Sequence, residues 1–252
     1  MLYPSQSLAT STISMRLFRT ILVSAAAVAN AYVPSHMELP ETWTDLSTAT
    51  LTPLEFRSEA AFALEGSGDQ SSVVVGSSCM LSSEVLRKHG GKHGSIAFAV
   101  RRPALCREEG KAIADLAARD DKPLDGFGIF GVVKETGVDD AGLAEFHSQF
   151  FPYPLYKDDE NVFYKALGSR KLSVSSWNPI KIFRGIRSIY RRLAKKSISG
   201  NLKGEGLVQG GIIIFDKMGA RYAYREEAGA EVPVDDIIAV VRHIRAEDEK
   251  TQ

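Results

Sequence analysis

Residues 95–109 read SIAFAVRRPALCREE. Ser95 to Val100 is a short apolar run of the buried-strand kind. It leads through Arg101, Arg102 and Pro103 to Cys106, and Arg107 to Ala118 reads as a helix with Ile113, Leu116 and Ala117 on one face. Cys106 therefore falls where a buried strand gives way to a helix. The first N–H groups of a helix lack partners and its dipole is positive there, so both favour thiolate over thiol. Arg101, Arg102 and Arg107 add positive charge, while Glu108 and Glu109 either oppose the shift or orient an arginine. A thiolate is the form that attacks peroxides, disulfides and electrophiles. The alternative is a buried, inert cysteine that packs the helix start.

Downstream, Gly128 to Val133 is a second buried-strand run, and Asp139 and Asp140 open a helix through Phe146. Leu155-Tyr156 is a short strand, and Asn161 caps a short helix ending at Gly168. Gly211 to Phe215 is the strongest strand signal in the chain. Asp216 to Gly219 makes a turn into the alternating partner Arg221 to Arg225. A last helix runs from Asp235 to about Arg245. Early strands alternate with helices and favour parallel pairing, and the late hairpin adds an antiparallel edge. The expected fold is α/β and thioredoxin-like: a mixed central sheet flanked by helices, with one insertion.

Upstream, residues 1–31 contain a basic pair, Arg16 and Arg19, an apolar stretch from Ile21 to Ala29, and a small-x-small site at Ala29-Asn30-Ala31. This is the pattern of a cleaved signal with a mature start at Tyr32; a core helix or an anchor is the alternative. Ala31-Tyr32-Val33-Pro34 resembles the junction of bipartite plastid leaders, with Tyr32 where Phe is usual. The expected location is the secretory pathway or a complex plastid, or the cytoplasm if the leader is unused. Residues 32–70 read as a polar lead-in with one short helix around Pro53–Leu64, and residues 71–248 as the thioredoxin-like domain. Ser82 to Lys88 reads as a helix capped by Ser82 or Ser83.

Net charge is zero, so no nucleic-acid partner is expected. Two cysteines are too few for a disulfide framework or a thiolate zinc site. His89 and His93 are four apart, but the glycines between and after them argue against one helical face, so no metal site is expected. The insert at 178–198 carries seven lysines and arginines and no acid. Its basic residues, Arg184, Arg187 and Arg191 among them, flank an apolar stripe from Ile182 to Leu193. Such a helix suits an anionic membrane surface, a polyanion or an acidic partner. A helix docked on the domain with a solvated basic face is the plainer reading.

The blocks RRP and LCREE at 101–109, VVKE at 132–135, FYKALGSRK at 163–171, GNLKGEG at 200–206, Gly210-Gly211 and Tyr224-Arg225-Glu226 together resemble the peroxiredoxin-like 2 family, which includes the prostamide/prostaglandin F synthases. The resemblance implies the peroxiredoxin branch of the thioredoxin fold and thiol-dependent reductase or antioxidant activity. It implies no bound cofactor, an external reductant such as thioredoxin or glutathione, and a small peroxide or lipid endoperoxide as substrate. In that family a Cys-x-x-Cys pair follows Arg-Arg-Pro. Here Pro103 and Cys106 are two residues closer, and the LCREE match gives Cys106 the second cysteine's position. A disulfide within such a motif is impossible in this chain. Shifting the gap gives Cys106 the attacking position instead.

Three outcomes stay open: Cys106 acts alone with an external thiol, it pairs with Cys79 as the resolving cysteine, or the site is dead. In a thioredoxin fold the glycine-rich loop with Asn201, Gly204 and Gly206 approaches the cysteine and offers N–H groups to a substrate carboxylate or phosphate. Its alternative is a turn that needs positive φ. The competing functional reading is a degenerate, non-catalytic module that binds a partner or membrane through 180–197.

Overall fold

The computed structural model describes residues 46, 48–56, 73–100, 104–169, 187, 191–192, 194–195, 210–226 and 230–251. All described residues lie in one compact unit, Glu38–Gln252. The strands are β1 (Thr50–Phe56), β2 (Val73–Val75), β3 (Met80–Leu81), β4 (Gly94–Val100), β5 (Phe127–Val133), β6 (Leu155–Asp158), β7 (Gly211–Phe215) and β8 (Ala220–Arg225). The helices are α1 (Ser82–His89), α2 (Ala104–Ala117), α3 (Asp140–Gln149), α4 (Val162–Ala166) and α5 (Val234–Thr251).

The strands form one mixed sheet in the order β2-β1-β6-β5-β4-β7-β8, with β3 also paired to β1. β4 is parallel to β5 and antiparallel to β7, and β7 is antiparallel to β8. A β-α-β unit joined to a β-hairpin and a closing helix, in the order β5-β4-β7-β8, is the thioredoxin-like arrangement. β4 and β7 are buried on both faces because they sit inside the sheet, which explains their unbroken apolar runs. Along β4 the faces alternate. Ala97 and Ala99 join the core containing Val85 of α1 and Phe163 of α4, whereas Phe98 meets Phe146 of α3 and Phe151. Helices therefore cover both faces.

The N-terminal side departs from expectation. Pro53 begins no helix; it lies within β1, opposite Tyr156 of β6. Leu51, Thr52 and Leu54 are buried there, and burial across a sheet outweighs the proline's missing donor, with the Pro53 carbonyl accepting from Gly76 N–H at 2.8 Å. The folded domain thus begins inside the stretch 32–70 expected as a lead-in, because β1 and Leu46 belong to the core. Two caps also differ. Glu84 accepts from the Leu81 N–H at 3.1 Å at the start of α1. Asp158, not Asn161, accepts the Val162 and Phe163 N–H groups of α4, both at 2.9 Å. Asn161 instead takes the left-handed conformation at φ 57°. The closing helix runs on past Arg245 to Thr251.

Candidate active site

Cys106 is the third residue of α2, immediately beyond the loop that leaves β4. Its side chain is 1% exposed, and the four residues after it are buried as well. Three of these four, Arg107, Glu108 and Glu109, are charged, and each is held by a different part of the fold. The Arg107 guanidinium lies over the Phe150 ring, 5.3 Å from its centroid, and donates to both oxygens of Glu145 at 3.0 and 2.7 Å. It faces α3 in a bidentate pair of the strong kind. Glu108 accepts from Arg192 Nε at 2.9 Å, and Arg192 also lies 3.6 Å from Glu231. Arg192 thereby ties the basic insert to α2. Arg187, Arg191 and Lys195 of the insert are exposed.

Glu109 turns to the sulfur. Cys106 Sγ and carboxylate oxygens of Glu109 and Glu226 all lie within 4.8 Å of one another, and all three residues are buried. Among the described residues this is the one trio whose donors come close enough to hold a metal ion. Glu226 reaches the site because β8 ends beside β7. Its N–H donates to the Gly210 carbonyl at 3.1 Å, and its Oε2 accepts the Gly210 N–H at 3.0 Å. Gly210 must be glycine here, since a Cβ would collide with the carbonyl oxygen of Ala99 on β4. Tyr164 of α4 supports the other side of the strand. Its hydroxyl donates within reach of the Val100 carbonyl, at 2.6 Å, and the Val132 carbonyl, at 3.1 Å. These are the ends of β4 and β5, where the chain leaves for Cys106.

Glu109 also forms one wall of a small cleft of about 100 Å³, with Glu108, Ala112, Glu231 and Val232. Cys79 is elsewhere. It is exposed, and its sulfur lies 3.4 Å from the Thr52 hydroxyl. Thr52 donates to Asp159 at 2.8 Å, and Lys157 pairs with Asp159 at 2.6 Å. The pairing Val100–Val133–Lys157–Thr52 puts both cysteines at the same end of the sheet. Four strand spacings, about 19 Å, nevertheless separate β3 beside Cys79 from β4 beside Cys106. A disulfide needs Cα atoms within ~7 Å, so of the three outcomes left open by the sequence this fold does not support the Cys79–Cys106 pairing. Neither sulfur is part of a disulfide.

Of the expected site residues, Cys106 and Arg107 are adjacent on α2 but only Cys106 joins the carboxylate trio; Arg107 is turned to Glu145. Arg101, Arg102, Asn201, Gly204, Gly206 and Arg184 lie outside the described residues. Glu226, Gly210 and Tyr164 carried no chemical signal by themselves. They stood only inside the blocks that resemble the family.

The AhpC/TSA antioxidant enzyme family matches residues 112–228, which takes in Glu226 and starts after Cys106. Peroxiredoxin-like 2A of Xenopus tropicalis is 30% identical over 161 residues, 61% of this chain and 65% of that protein. Prostamide/prostaglandin F synthase of Salmo salar is 29% identical over 137 residues, 53% of this chain and 66% of that protein. The chain thus spans just under two thirds of the length of these curated relatives. Among solved structures, Mycobacterium tuberculosis AhpC aligns over 80% of this chain and 91% of its own, with a TM-score of 0.45 and 15% identity.

Proposed function

Since the chain belongs to the peroxiredoxin-like 2 family, we propose that it is a thiol-dependent oxidoreductase whose Cys106 sulfur attacks a peroxide oxygen. The observation that carries this reading is the single buried sulfur on the first turn of α2, set beside two carboxylates. In the reaction the S–O bond forms and the O–O bond breaks. Sulfur is oxidised to sulfenic acid, and an alkyl hydroperoxide is reduced to its alcohol or hydrogen peroxide to water. Thioredoxin or glutathione then reduces the sulfenic acid, and Cys79 takes no part.

The test exposes the purified protein to hydrogen peroxide and to an alkyl hydroperoxide, with a sulfenic-acid trap and mass spectrometry of the peptide containing Cys106. A trapped adduct at Cys106, with peroxide turnover when thioredoxin or glutathione is supplied, is the expected result. No adduct and no turnover with either reductant would sink the reading. The non-catalytic alternative would then stand, supported by the exposure of Arg187, Arg191 and Lys195 beside the docked Arg192. It expects binding to anionic vesicles that is lost when Arg187 and Arg191 are neutralised. Residues 1–31 are proposed to direct the protein to the secretory pathway or a complex plastid, which N-terminal sequencing of the mature protein at Tyr32 would check.

A further inference from the structure

Glu226 is 1% exposed, so its carboxylate is kept from solvent and its orientation is set by the protein groups around it. Two hydrogen bonds to Gly210 hold it, one through its own N–H and one through Oε2. Gly210 in turn is pressed against the Ala99 carbonyl of β4. The carboxylate is therefore located by the same strand that delivers Cys106. Its oxygen lies within 4.8 Å of Cys106 Sγ, a distance that one water or a small rotation spans for proton transfer.

We propose that Glu226 is the proton acceptor for the Cys106 thiol in peroxide reduction, an inference that rests on Cys106 being the attacking sulfur. The sulfur electron pair attacks the terminal peroxide oxygen, forming S–O and breaking O–O. The thiol proton passes to the Glu226 carboxylate, and from there to the departing alkoxide, which leaves as the alcohol. The transferred oxygen keeps its own hydrogen, so the products are sulfenic acid and alcohol, and the carboxylate is regenerated. Sulfur loses two electrons and the peroxide gains them.

The decisive variant is Glu226→Gln. Glutamine keeps an oxygen to accept the Gly210 N–H but cannot take the proton. Stopped-flow measurement of Cys106 sulfenic acid formation at pH 7 should show a loss of about 10²-fold or more, the size usual for general-base catalysis. An unchanged rate in the variant, with the unsubstituted protein reacting, would overturn the role of Glu226 and leave the reading of Cys106 standing. Absence of reaction in the unsubstituted protein would remove both. Should the variant fail to fold, the same rate in the unsubstituted protein is compared in H₂O and D₂O. A normal solvent isotope effect is expected for proton transfer in the rate-limiting step; a unit or inverse effect, the mark of a thiolate formed beforehand, would overturn the proposal.

Discussion

Cys106 and Cys79 lie at the same end of one sheet, and almost everything around them differs. Cys106 is in the core, on a helix start, with two buried carboxylates converging on it from different parts of the chain. Cys79 is exposed at the far side of β1, with a threonine hydroxyl for company and a surface pair of Lys157 and Asp159 beyond it. A thiol's chemistry is set by what surrounds it rather than by its being a thiol. The contrast places all the constructed surroundings at Cys106. It also shows that sharing an end of a sheet is no basis for a disulfide when the strand order intervenes.

The largest effect that separates the two sites is chemical. Cys106→Ser should abolish peroxide-driven sulfenic acid formation and reductant-dependent turnover, and Cys79→Ser should leave both intact. Equal loss in the two variants, measured by trap labelling and peroxide consumption, would break the contrast.

A second effect is structural and confined to the Cys106 side. Gly210→Ala places a methyl against the Ala99 carbonyl, and the backbone shift this forces should cost about 1–3 kcal/mol in urea unfolding. Because Gly210 holds Glu226, the same variant should slow the Cys106 reaction. Unchanged stability would show that β4 and β7 can part without strain.

A somewhat smaller cost is expected for Tyr164→Phe, which removes the donor to the Val100 and Val132 carbonyls. A lowered unfolding midpoint equivalent to about 1–2 kcal/mol is the expected outcome.

The smallest effect belongs to the Cys79 side. The hydrogen bond from Lys157 holds the Asp159 carboxyl below the usual carboxylate range, against a smaller opposing effect of burial and with help from the Thr52 hydroxyl. A depressed folded value means stability that is present above the ordinary value and is lost as pH falls through the folded one. Asp159→Asn should therefore lower the unfolding free energy by less than ~1 kcal/mol at neutral pH, since the pair is solvent-screened. The difference from the unsubstituted protein should vanish in acid. A difference that persists at low pH would point to packing in place of charge.

Much of the fold is legible along the chain because its signals are local. The runs Ser95–Val100 and Gly211–Phe215 are apolar throughout because both faces of β4 and β7 are covered, and each strand lies where its run does. The hairpin turn at Asp216–Gly219 is written in its residues, and the α3 cap at Asp139 likewise. β1 was not legible. TLTPLEF contains a proline, and its strand character comes from pairing with β6, more than a hundred residues away in sequence. The cap of α4 was misread because Asp158 reaches it from the preceding strand while Asn161 turns left-handed.

The candidate site divides the same way. That Cys106 opens a helix after a buried strand follows from periodicity alone, since both elements are decided within a few residues of it. That Glu226 stands beside its sulfur, that Arg107 turns to Glu145 and that Cys79 is four strands away follow from strand order and register. Those are settled by which faces can be buried against each other, a property of distant segments taken together. Local spacing could name the sulfur, and only the closed sheet could choose its neighbours.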